Sequence, residues 1–148
     1  MTSREIDILV EDRTGKPTLV VECKSATATR EAEEQLADFS RAAGQVPFAM
    51  LVGPHQILVF RVEEGRLVLA TSLDTLAVFA QYEPRFGESR VYEHTLVTLS
   101  GAWLRDLMDH WRGTPPPGEV ELDRIGLLPL IVGGWTRLGV ASGAASLR

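Results

Sequence analysis

The chain opens on two apolar runs, Ile6-Asp7-Ile8-Leu9-Val10 and Leu19-Val20-Val21-Glu22-Cys23-Lys24, separated by the turn-rich stretch Asp12-Arg13-Thr14-Gly15-Lys16-Pro17. Two short apolar runs joined by such a stretch predict a β-hairpin. Side chains alternate faces along a strand. Glu5 and Asp7 therefore share one face of the first strand, with Ile6, Ile8 and Val10 on the other. On the second strand Val20, Glu22 and Lys24 share a face, and Leu19, Val21 and Cys23 point the opposite way. A register that aligns the polar positions brings two carboxylates and an ammonium to one patch of sheet.

Further along, Ala32, Leu36, Phe39 and Ala43 mark one face of a helix from Arg30 to Ala43, stopped by Gly44 and capped by Thr27 or Thr29. Glu31, Glu33 and Glu34 fall on its solvated side. Phe48 to Val52 predicts a buried strand. Gln56 to Val62 and Arg66 to Ala70 predict a second hairpin around Glu63-Glu64-Gly65. Ser72 is placed to cap a short helix through Leu73, Leu76, Ala77 and Ala80. A longer amphipathic helix is expected from Val91 to Trp111, ended by Pro115-Pro116-Pro117-Gly118. Its apolar stripe takes in Trp103 and Trp111, leaving Trp135 as the one tryptophan open to base stacking. Leu127 to Val132, interrupted by Pro129, predicts an irregular segment or edge strand, and Ala141 to Arg148 is weakly patterned. The order of elements predicts an α/β fold. The expected organisation is an α/β domain over 1–114 and a Pro/Gly-rich, irregular segment over 115–148 packed on it in part.

The 148 residues suffice for one domain with a core, and 45% hydrophobic with 24% charged is an ordinary globular balance. No apolar stretch approaches a membrane span and the N-terminus has no signal-peptide core, so no membrane association and a cytoplasmic location are expected. Cys23 is the only cysteine, which excludes an internal disulfide and suits a reducing compartment. His55, His94 and His110 lack metal-ligand spacing. The net charge of −5 weighs against a protein built mainly to grip a nucleic-acid backbone by charge, though it does not exclude a nuclease. Lys16 and Lys24 are the only lysines among fifteen basic residues, and Lys16 lies in the turn. Lys24, on a strand beside Glu22, is therefore the lysine that points to chemistry.

Asp7, fourteen intervening residues, then Glu22-Cys23-Lys24 resembles the D-x(n)-E-x-K signature of the PD-(D/E)XK nuclease superfamily. Gln35-Leu36-Ala37-Asp38-Phe39 resembles the Q-x-x-x-[YF] element of the N-terminal nuclease domain of type I restriction endonuclease motor subunits. Phe48 to Val52 and Gln56 to Arg61 resemble its following strands, so the resemblance covers roughly Arg4 to Arg66. It implies a restriction-endonuclease-like core, a mixed sheet flanked by helices, to which the apolar pattern of the second half adds a helical C-terminal extension. With only six residues before Asp7, the usual N-terminal helix, its acidic residue and the first strand are expected to be missing, and Ile6 replaces the family's proline.

The resemblance further implies Mg²⁺, with Mn²⁺ as substitute, held by Asp7, Glu22 and the backbone carbonyl of Cys23. Mg²⁺ takes oxygen ligands and keeps several waters. Lys24 would orient or deprotonate the attacking water, and Gln35 would hydrogen-bond near the water or the scissile phosphate. The function implied is DNA phosphodiester hydrolysis in restriction, defence or repair. The alternative is a nuclease-fold module, weak or inactive in catalysis, that binds nucleic acid or protein. A homodimer through the long helix and Leu127–Val132, a larger restriction or repair partner, or the chain's own C-terminal segment would complete the fold. Against all of these stands a solvated sheet face whose cross-strand ion pairs contribute little.

Overall fold

The N-terminal runs form the predicted hairpin, β1 (Glu5–Glu11) and β2 (Pro17–Cys23). In its turn the Asp12 carboxylate accepts from the amides of Thr14 and Lys16 at 2.9 and 3.0 Å, and Gly15 takes a φ of +89°. The computed structural model describes residues 5–26 and 29–141. After β2 come α1 (Thr29–Ala42), β3 (Phe48–Val52), β4 (Gln56–Glu63), β5 (Arg66–Asp74), α2 (Thr75–Phe79) and α3 (Glu93–Asp109). The chain then forms α4 (Glu119–Arg124), α5 (Leu128–Ile131) and β6 (Trp135–Ala141).

The sheet has six strands in the order β5-β4-β3-β2-β1-β6, and is mixed: β2 and β3 are parallel and the other neighbours antiparallel. The parallel pair needs a crossover, which α1 supplies. Because most strands lie between two layers, both sheet faces are apolar. One face packs Ile8, Val10, Leu19, Val21, Cys23 and Met50 against Leu96, Trp103 and Leu107 of α3. The other packs Leu9, Val20 and Ala49 against Ala32, Leu36 and Phe39 of α1.

Five expectations are corrected. Ile6 joins Leu9 and Val20 beneath α1 rather than Ile8 and Val10. Two residues three apart cannot share a face of a regular strand, so the alternation breaks near Asp7, beside Gly139 of β6 with its φ of +59°. Ser72 is not a helix cap: β5 continues to Asp74, whose carboxylate accepts from the Ala77 amide at 3.0 Å and starts α2. Trp111 lies outside the core stripe and is 53% exposed, because His110 turns left-handed at φ +55° and ends α3 before it. Leu127–Val132 is neither irregular nor a strand. It holds the single turn α5, with Pro129 in its first turn, where the missing N–H costs nothing. Leu127 and Ile131 enter the chain's own core, while Leu130 and Val132 stay exposed.

The fifth correction bears on the site. The segment after Pro115 is not an irregular appendage: it returns as β6 and pairs along β1, from Glu5↔Ala141 to Glu11↔Trp135. It forms the edge of the sheet beside β1. Buried Glu11 fastens it, accepting from the Trp135 indole at 2.7 Å and lying 3.4 Å from the Arg137 guanidinium. Trp135 is thus a strut between strands. The cap expected at Thr27 or Thr29 depends on parts of the chain outside the described residues, as does the segment from 142 onward. Among the described residues no helix is long and apolar enough to cross a membrane.

Candidate active site

The β1–β2 ladder runs to Ile8↔Val21, and past that pair side chains take over from the backbone. The Cys23 amide donates to Asp7 Oδ2 at 2.7 Å, and the Asp7 amide donates to Glu22 Oε1 at 3.3 Å. Each carboxylate thus accepts from the partner strand, and the two strands are held apart at this end. Since N–H and C=O of one strand residue point to the same neighbour, the Cys23 carbonyl also faces this gap. Lys24 Nζ lies 3.4 Å from Glu22 Oε2, and the Lys24 amide continues the parallel ladder to the Val52 carbonyl at 2.9 Å. Asp7, Glu22, Cys23 and Lys24 therefore converge. The place is the carboxyl end of two parallel strands, where open α/β sheets bind ligands.

The charges are set by burial. The Glu22 side chain is only 5% exposed. Desolvation, then the charge of Asp7, push its pKa up to about 7, against a smaller opposing pull from Lys24. Desolvation also disfavours charge on Lys24, but the surrounding carboxylates, Glu22 first and then Glu93 and Asp7, outweigh it and raise the pKa. Lys24 is held as an ammonium. Cys23 points to the opposite face, where burial drives its thiol pKa far up and Sγ lies 3.7 Å from Ser100 Oγ.

Gln35 is placed differently from the others. From α1 its amide nitrogen donates to the Glu5 carbonyl at 2.7 Å, so it anchors the start of β1 two residues from Asp7. Glu93, in the first turn of α3, is a carboxylate that sequence reasoning missed. Its charge reaches both Lys24 and Cys23. Nothing in local spacing marks it, since it lies 69 residues beyond Lys24 and arrives only through the packing of α3. A cleft of about 280 Å³ opens beside Lys24, walled by Leu51, Pro54, His55 and Leu58.

The raised Glu22 pKa has a measurable consequence in the absence of divalent cations. The unfolded carboxyl ionises near 4.5 and the folded one near 7, so folding retains a proton between them. The stability contribution is full below 4.5 and is lost as pH rises through 7. Glu22→Gln keeps the acceptor for the Asp7 amide and cannot ionise. In EDTA its stability is expected to match wild type at acid pH and exceed it at pH 8 by up to about 3 kcal/mol. Urea unfolding at the two pH values measures this, and equal stabilities at pH 8 would contradict the assigned burial of charge.

Comparison of the chain with family models, curated proteins and solved structures returned no match.

Proposed function

We propose that this protein is a Mg²⁺-dependent deoxyribonuclease of restriction, defence or repair type, with a PD-(D/E)XK-like core. One observation carries the reading: the carboxylates of Asp7 and Glu22 interlock across two splayed strands, with Lys24 on Glu22. A purely structural ion pair has no need of a second buried-edge carboxylate that raises the pKa of the first. Excess negative charge of this kind is what a divalent cation relieves.

The donor set fits such an ion. Asp7, Glu22 and the Cys23 carbonyl offer oxygen only, the Cys23 thiol being on the other face, and leave the rest of an octahedral shell to water. When bound, Mg²⁺ supplies an acidified water and charge neutralisation at the phosphoryl group. Lys24 has a narrower role than the sequence suggested. Held protonated, it orients the attacking water and stabilises the charge that develops on phosphate, rather than accepting a proton. Gln35 acts on β1 through the Glu5 carbonyl, fixing the strand that carries Asp7.

The test is metal removal. Plasmid or single-stranded DNA is expected to be cut with Mg²⁺ or Mn²⁺, to survive in EDTA, and to be cut again when metal is restored. DNA left intact under every metal condition, but bound, would favour the non-cutting binding module instead.

A further inference from the structure

Arg90, Tyr92 and His94 alternate along the chain into α3 and form a group that cleavage itself does not use. The Tyr92 and His94 rings stack, with centroids 5.7 Å apart and planes 16° from parallel. The Arg90 guanidinium lies 5.4 Å from the Tyr92 centroid. All three side chains are exposed, Tyr92 to 50%, and the core contribution of α3 begins only at Leu96. Core packing therefore does not account for them. Tyr82, by contrast, is half-buried and donates its hydroxyl to Asp106 at 2.6 Å.

Arg90 joins the group to a cleft next to the candidate site. A cleft of about 570 Å³ is lined by Ser25, Ala26, His55, Ser89, Arg90 and Val91. Ala26 and His55 also wall the smaller cleft that holds Lys24. Glu93, between Tyr92 and His94 in sequence, is close enough for its charge to act on Lys24. Ser25 and Ser89 line the larger cleft together with apolar Pro54, Leu76 and Phe86, and Arg90 is the member of the group that reaches it.

We propose that Arg90, Tyr92 and His94 form a base-stacking subsite for single-stranded DNA, so that the substrate of the Asp7–Glu22–Lys24 site is a single strand or an unpaired end. This deepens the nuclease reading and rests on it. A base offers its face to an aromatic ring only when it is unstacked from its neighbours, which excludes the interior of a duplex. Stacking is also the contact that suits this chain: with a net charge of −5 it gains little from a long run of phosphates. Arg90 adds one cation that serves ring and phosphate together.

Binding in EDTA, where nothing is cut, tests the subsite by fluorescence anisotropy with a labelled oligothymidylate and a duplex of equal length. Wild type is expected to prefer the single strand. Tyr92→Ala is expected to weaken that binding by about tenfold, the order of one lost base stack, whereas Tyr92→Phe retains it. Arg90→Ala is expected to weaken it with a shallower salt dependence. Equal binding by Tyr92→Ala and wild type, duplex bound as tightly as single strand, or no binding of the oligonucleotide would each overturn the subsite. Duplex cleavage that Tyr92→Ala leaves unchanged overturns the subsite and keeps the nuclease reading. Tyr92-dependent binding without metal-dependent cleavage does the reverse.

Discussion

Lys24→Ala is expected to reduce metal-dependent DNA cleavage by about 10²–10³-fold, the usual effect of removing one preorganised charge from a transition state. The fold should survive. The Lys24 side chain is about one-third exposed, and the ladder bond to Val52 comes from its backbone amide, which alanine keeps. Removing the ammonium also removes a cation that would repel Mg²⁺ at Glu22, so no more metal than for wild type is expected to be required for half-maximal cleavage. Lys24→Arg retains charge but replaces a compact point charge by a planar fork, and is expected to recover only part of the rate. Single-turnover cleavage across a Mg²⁺ titration separates rate from metal requirement, with urea unfolding as the control for folding. If Lys24→Ala cuts at the wild-type rate, or if both proteins are inert with Mg²⁺ and Mn²⁺ on single and double strands, the catalytic assignment fails.

Gly134→Ala is expected to be the most damaging small substitution for stability, at about 4 kcal/mol or more. A Cβ at this position would lie 2.1 Å from the Glu11 carbonyl oxygen and 3.1 Å from that of Ile131. Both obstacles are backbone, so no side-chain rotation relieves the overlap. The strand must back away, and it carries Trp135 and Arg137, the two partners of buried Glu11. Losing them leaves a carboxylate in the core without its donors, which adds desolvation to the steric cost. Gly113→Ala separates this from ordinary glycine strain. Gly113 has a φ of +78°, and a Cβ there would meet nothing within 4 Å, so only the left-handed backbone penalty of about 1–2 kcal/mol applies. Urea unfolding compares the pair, and hydrogen exchange at β6 amides reports whether the strand has come off β1. Equal losses for the two variants would mean that the close approach at Gly134 is not maintained. Because β6 runs beside Asp7, Gly134→Ala should also impair cleavage without altering Asp7 or Glu22.

The legible part of this molecule was local. Alternation placed Glu22 and Lys24 on one face and Cys23 on the other, and the structure keeps them there. Helical spacing found Ala32, Leu36 and Phe39, all buried under the sheet. Where local pattern misled, a tertiary contact had intervened. The Ile6 side chain follows a break in β1 that lies beside β6, and the Ser72 helix start gave way to further pairing of β5 with β4. Gln35 illustrates the limit at the site itself: its position on α1 was readable, but its hydrogen bond to the Glu5 carbonyl depends on how α1 docks.

Sequence by itself determined the hairpin, the two faces of β2 and the placing of Glu22 beside Lys24, because a period of two and a turn act over a few residues. Tertiary structure decided what those residues became. It brought β6 from the far end of the chain to the open edge beside β1 and brought Glu93 to Lys24. It also buried Glu22 deeply enough to raise its pKa to about 7. Proximity between residues distant in sequence and exclusion of water are properties of the packed molecule, and no local pattern encodes them.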